Sequence, residues 1–232
     1  MHTRRRVEDG KGGPLERMTS ADYLSLIQGA GITVALSVIG AVLGVPIGLG
    51  LALIRWARVP VLSPLVAAYV SLLRATPLVT LTLLIFFALP TLGLDIKPMP
   101  AAILALTMNT SAFNCEVWRA ALIDFPRDQL EAARAFGMEP RLTFRRIMLA
   151  QVWRTSLPGL VNEMTLLIKG SPAIAVIGVV EITRAAVRIG AETYEPLPPF
   201  LAATAIYCVI VLVFIRIQRS IEARINAEQA LS

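Results

Sequence analysis

Five stretches of this chain carry no charged residue: 23–54, 59–73, 75–94, 98–115 and 196–215. Their apolar positions do not alternate with period two, as a half-buried strand would require. Unbroken runs of this kind suit helices crossing a hydrocarbon core of roughly 30 Å. The pattern predicts an all-α integral membrane protein with about five transmembrane helices. Span one covers 29–54, span two 64–90, span three 98–119, span four a more polar 155–182, and span five 197–217. Segment 18–28 reads as a short amphipathic helix on the membrane surface, with Tyr23, Leu24, Ile27 and the following Ile32 toward lipid. Residues 1–17 read as a flexible tail, 18–220 as the transmembrane domain, and 221–232 as a charged cytoplasmic tail.

One polar island, 127–150, interrupts the apolar pattern. Glu131 through Phe136 are mostly good helix formers. Gly137 can end that helix in a left-handed conformation, and Pro140 suits the first turn of a second helix. Leu142, Arg145, Arg146 and Leu149 then follow at three- and four-residue spacing. Two short helices meeting at a glycine bend cannot cross a bilayer, so the pair is expected to project as a rigid knob. Ala132, Ala133 and Ala135 permit close approach by a partner, and Phe136 offers an apolar anchor. Glu131 is placed to fix the bend through backbone or arginine contacts. The competing reading is an ordinary interfacial loop.

Composition sharpens the class. The chain is 56% hydrophobic and 16% charged, with less charge than an ordinary soluble domain. Its net charge of +6 flanks the apolar runs and is not gathered on one soluble domain. That distribution speaks for membrane orientation and against nucleic-acid binding. Five spans put 55–58, 119–154 and 216–232 on one side, and these regions hold twelve arginines. The island is therefore expected in the cytoplasm and the N-terminus outside. The basic N-terminal tail, with Arg4, Arg5, Arg6, Lys11 and Arg17, is the dissenting feature. The first apolar run exceeds a signal-peptide core and reads as a retained span. Cys115 and Cys208 fall in apolar segments and read as small buried hydrophobes. His2 is the single histidine, so no zinc or haem constellation can be assembled from it.

Gly40, Gly44 and Gly48 recur every four residues in span one, which permits close helix contact on one face. General enrichment of glycine in membrane helices is the alternative explanation.

Several stretches together resemble the permease subunit of a bacterial ABC importer of the polar amino acid type. They are Glu131-Ala132-Ala133 with Gly137, Gly29 through Val34, Leu73 through Leu78, Phe86 through Pro90, Phe113 through Glu116, and Ile177 through Arg184. The resemblance extends over roughly 27–220. It implies the type I importer transmembrane fold, with Glu131, Ala132, Ala133, Phe136 and Gly137 in a coupling helix that docks on a separate ATPase subunit. ATP and Mg would act on that partner, with no cofactor and no covalent catalytic centre in this chain. The absence of a Gly-x-x-x-x-Gly-Lys-Ser/Thr phosphate loop agrees with this division of labour. The resemblance also implies a second permease subunit, identical or homologous, an extracytoplasmic solute-binding protein and a place in the bacterial inner membrane. The implied solute is a polar amino acid, with an opine, another amine or an organic anion as the alternative. A standalone channel or secondary transporter is the more distant one. Three positions depart from the family pattern: Ala150 before Gln151 where proline is usual, Lys169-Gly170-Ser171-Pro172 where Lys-Asp-Thr-Ser is frequent, and Ala75 where glycine is common.

Ionisable residues in apolar surroundings are expected to face the protein interior, an aqueous path or an interface. Arg74, Glu116, Glu163, Lys169 and Glu181 are of this kind. A zwitterionic amino acid needs an acceptor for its ammonium and a donor for its carboxylate, and residues of both signs are present. Pairs such as Glu163 with Arg74 or Lys169, locking helices together, are the structural alternative. Asn109, Asn114 and Asn162 share the ambiguity. Thr76-Pro77 and Ser171-Pro172 suit helix irregularities lining a cavity. The candidate pathway or gating set is Arg74, Thr76, Pro77, Asn109, Glu116, Glu163, Lys169 and Ser171.

Overall fold

The structure, a computed structural model, describes residues 18–230. The tail expected over 1–17 lies outside them. Helix α1 runs unbroken from Ser20 to Trp56. It starts at a capping box in which the Thr19 hydroxyl accepts the Asp22 N–H and the Asp22 carboxylate accepts the Thr19 N–H. No separate surface helix forms over 18–28, because nothing in that segment breaks the helix and part of it is buried. Leu26 is fully enclosed, and a Cβ on Gly29 would fall 3.0 Å from the backbone at Glu181 and Ile182. Tyr23, Leu24 and Ile27 are exposed as expected, whereas Ile32 turns inward against the core.

The glycine stripe of α1 meets α4, Pro98–Ile123. A Cβ on Gly40 would come within 3.0 Å of Leu106, and one on Gly44 within 2.7 Å of Thr110. The close approach explains why α4 sits at the centre, with Ala101, Ala102, Ala105 and Leu106 fully buried. The stripe is thus a packing face within one chain.

The span expected over 64–90 is broken. Helix α2 covers Leu62–Ala75 and α3 covers Leu78–Thr91, with axes bent by 111°. Pro77 drives Thr76 out of the helical region, to φ −90° and ψ 124°. The break is partly satisfied locally: the Thr76 hydroxyl donates to the Leu72 carbonyl at 2.8 Å, and the Pro77 carbonyl accepts the Leu81 N–H at 3.0 Å.

After α4 the island forms α5, Arg127–Ala135, and α6, Pro140–Thr143. A π-helical turn, Phe144–Met148, joins α6 directly to α7, Leu149–Gly170. The second island helix is therefore the start of span four and not a free short helix. The wider turn also changes the register between Leu142 and Leu149. A 3₁₀ segment, Ser171–Ile177, ends this rod at Gly178 (φ +101°), short of the expected 182. Helix α8, Ile182–Thr193, follows, and α9 runs from Leu197 to Ala230, staying helical through most of the expected tail.

Among the described residues, three helical stretches are long and apolar enough to cross a membrane: Ser20–Trp56, Pro140–Ile177 and Leu197–Ile225. The bent α2–α3 pair makes four if it counts as one span. The fold is all-α and integral to the membrane, with no sheet among the described residues. Five apolar spans are not reached, because Asn109, Thr110, Ser111 and Asn114 dilute the apolarity of α4. Of the two cysteines, Cys115 is buried and Cys208 is exposed on α9, so only the first behaves as expected.

Candidate functional site

The α2–α3 break opens one side of a cavity of about 390 Å³. Arg74, Thr76 and Pro77 contribute from the break, Asn109 and Phe113 from α4, and Glu163 from α7. Five of the eight sequence-derived pathway candidates therefore meet in one space. The volume lies in the usual range of roughly 300–1,000 Å³ for small-molecule sites. The Arg74 guanidinium stands 5.4 Å from the centroid of the Phe113 ring, within reach of a cation–π contact. Glu163 lines the same space without closing an ion pair to Arg74 or Lys169. The cavity thus offers a cation and a carboxylate from two different helices that line one space without a direct ion pair between them.

The other three candidates lie elsewhere. Lys169 is exposed and away from the cavity lining. Ser171 is fully buried, with its hydroxyl 3.3 Å from that of Tyr207. Glu116 lies two turns along α4 from Asn109, about 10 Å by helix rise. There it accepts from Arg55 of α1 and from Arg119 Nε and Nη2 at 2.9 and 2.6 Å. That cluster ties the ends of α1 and α4 together.

Two polar features were not singled out as site residues. Glu181 is wholly enclosed; it caps α8 by accepting the Arg184 N–H at 2.7 Å and also accepts the Tyr207 hydroxyl at 2.7 Å. Arg184 Nη1 donates to the Ala175 carbonyl at 2.7 Å. The capping position before Ile182 was legible, since a carboxylate there suits a helix start. Tyr207, an aromatic with a polar tip inside an apolar run, was the signal for its partner. Phe113 had no such signal, since one aromatic in an apolar helix has no marked direction.

Within the chain's polar island, α5 ends in a Schellman motif. The Gly137 N–H donates to Arg134 at 2.9 Å and the Met138 N–H to Ala133 at 3.0 Å, with Gly137 at φ +71°. Gln151 Nε2 donates to Gln129 Oε1 at 2.6 Å and ties α5 to α7. Ala133 packs inward, whereas Ala132 and Ala135 are exposed and Phe136 is 88% exposed. Glu131 is also exposed, and no hydrogen bond or ion pair reaches it among the described residues. Backbone bonds and Gly137 hold the bend, so the fixing role expected of Glu131 is not seen.

Residues 44–227 match the family described as binding-protein-dependent transport system inner membrane component. The chain is 32% identical over 203 residues to the arginine transport system permease protein ArtQ of Bacillus subtilis (strain 168), covering 87% of this chain and 93% of that one. It is 34% identical over 205 residues to the nopaline transport system permease protein NocM of Agrobacterium fabrum (strain C58), covering 84% and 85%. A crystal structure of an amino acid ABC transporter with histidines superposes with a TM-score of 0.81 at 32% identity, covering 87% of this chain and 94% of that one.

Proposed function

The chain belongs to the binding-protein-dependent transport system inner membrane components, and on that premise we propose how it carries its solute. It is the transmembrane permease of an ABC importer for polar amino acids, a multi-pass inner-membrane subunit coupled to a separate ATPase. The α2–α3 cavity is the place where the solute rests during passage. Arg74 receives the solute carboxylate and Glu163 its ammonium, while Asn109 offers both a donor and an acceptor. Phe113 holds the guanidinium by its ring face and leaves the guanidinium's hydrogen-bonding edge for the ligand. The observation that carries this reading is a cation and a carboxylate lining one cavity without a direct ion pair between them.

Glu131 through Gly137 form the knob that seats on the ATPase, with Phe136 as anchor and the Schellman bend as its stiffener. A second permease subunit completes the path by two-fold pairing, and a solute-binding protein delivers solute outside. Five crossings fit this arrangement when α4 counts as an inner span. Its 26 residues reach about 39 Å, and its polar residues are shielded by neighbouring helices.

ATP-driven uptake into vesicles, with binding protein present, tests the reading across a panel of amino acids. Nopaline belongs in the panel because of the relative that carries that name. Arg74→Gln and Glu163→Gln should each raise the apparent KM at least tenfold, with ATPase still bound. Unchanged KM in both variants would remove the cavity from the pathway.

A further inference from the structure

A second cavity, of about 750 Å³, opens at the opposite end of α4. It lies between the α1–α2 loop, the end of α4 and the start of α5. Arg55, Arg58, Arg119 and Arg127 line it, and no carboxylate does. Glu116 stands behind the wall and accepts from Arg55 and Arg119, answering one of the four charges. Asp124, at the end of α4, and Asp128, in the first turn of α5, are close in sequence without lining the cavity. Arg58 and Arg127 are exposed and have no partner among the described residues.

Three observations narrow what this space takes. The excess of guanidinium calls for an anion with several oxygens, which phosphate supplies for two-pronged hydrogen bonding. The cavity wall is also apolar, with Leu122, Leu130 and Met148, and its lip carries exposed Trp56 and Ile123. Beside it α2 presents exposed Leu62 and Leu65. A free phosphate ion gains nothing from these surfaces, whereas a lipid does. Finally, Arg58 at φ 51° and Val61 at φ 67° hold the α1–α2 loop in left-handed backbone that non-glycine residues avoid. Such strain persists where the surroundings fix it, and it gathers at ligand clamps and switches.

We propose that this cavity binds the phosphate headgroup of an anionic phospholipid of the cytoplasmic leaflet. The assignment rests on the transport reading for its orientation, which puts the arginine-rich helix ends inside. Basic pockets between helices on that side are suited to anionic headgroups. Leu130 belongs to α5 and Met148 to the π turn, so a bound headgroup braces the knob against the ends of α1 and α4.

The test uses the permease purified with its ATPase and stripped of native lipid in detergent. Phosphatidylglycerol, phosphatidylcholine and inorganic phosphate are added separately. Native mass spectrometry counts bound lipid, and thermal unfolding of the complex reports stabilisation. Phosphatidylglycerol should bind at one per permease chain and raise Tm, with neither control doing so. Arg58→Gln should weaken its retention at least tenfold, and Arg219→Gln, in the C-terminal part of α9, should leave it unchanged. Equal retention of both lipids, or full retention by the Arg58→Gln, Arg127→Gln double variant, would overturn the site. Stabilisation by inorganic phosphate equal to that by phosphatidylglycerol would overturn the lipid source. If the variants fail to assemble, competition between the two lipids on the unmodified complex decides. Absence of ATP-driven uptake by the unmodified complex, with phosphatidylglycerol still retained, would count against the transport reading and not against this site.

Discussion

Gly44 shows how much one absent methyl group can decide. A Cβ there would fall 2.7 Å from Cβ of Thr110, so α1 would have to move off α4. Overpacking of this kind costs about 1–3 kcal/mol. Gly44→Val should lower the Tm of the detergent-solubilised protein by several degrees, whereas Gly50→Ala, with open space around it, should leave Tm unchanged. The stripe was legible because its spacing is set by helix geometry alone. Glu116 was not legible in the same way. Its carboxylate looked equivalent to that of Glu163 in sequence, and only the approach of Arg55 from another helix separates them. Residue type marked both as ionisable groups that lipid cannot hold, and packing gave Glu116 two arginine partners and Glu163 an open cavity.

The elements that were readable carried their own start and stop signals. Gly137 and Pro140 punctuate the island in sequence, and they end α5 and begin α6 in the structure. The α2–α3 break was half visible: Thr76-Pro77 announced an irregular backbone, but an apolar run cannot show a 111° turn. The continuity of α1 escaped because hydropathy changes near residue 28 while helix propensity does not. The same holds where the π turn welds α6 to α7, since a widened turn leaves no mark in composition. At this scale the knob makes its own prediction. Phe136→Ala removes the exposed ring and should reduce co-purification of the ATPase at least fivefold. Gly137→Val, which forces a β-branched residue into left-handed backbone, should do the same by misaiming α5. Intact docking in both variants would transfer the coupling role to another part of the chain.

Across the whole molecule, crossing number is where sequence pattern and helix apolarity part. Apolar runs predicted five spans, and three or four of the helices meet the demand for a membrane-crossing surface. The difference comes down to α4, whose surroundings are other helices, so its own side chains need not match lipid. Labelling resolves the arrangement. With both native cysteines replaced, Lys97→Cys should react with a membrane-impermeant maleimide from outside, and Arg127→Cys only after the membrane is opened. Reaction of both from one side would mean that α4 turns back without crossing.

The Phe136 ring, 88% exposed at the end of a nine-residue helix, has a further consequence for the cell. If Phe136 seats on the ATPase as proposed, a permease synthesised without that partner would leave the ring open to cytoplasmic proteases, and assembly would cover it. Supply of the ATPase would then set the lifetime of the permease. Pulse-chase measurement should show a shorter half-life in cells lacking the ATPase, and Phe136→Ala should lengthen it there without any partner present.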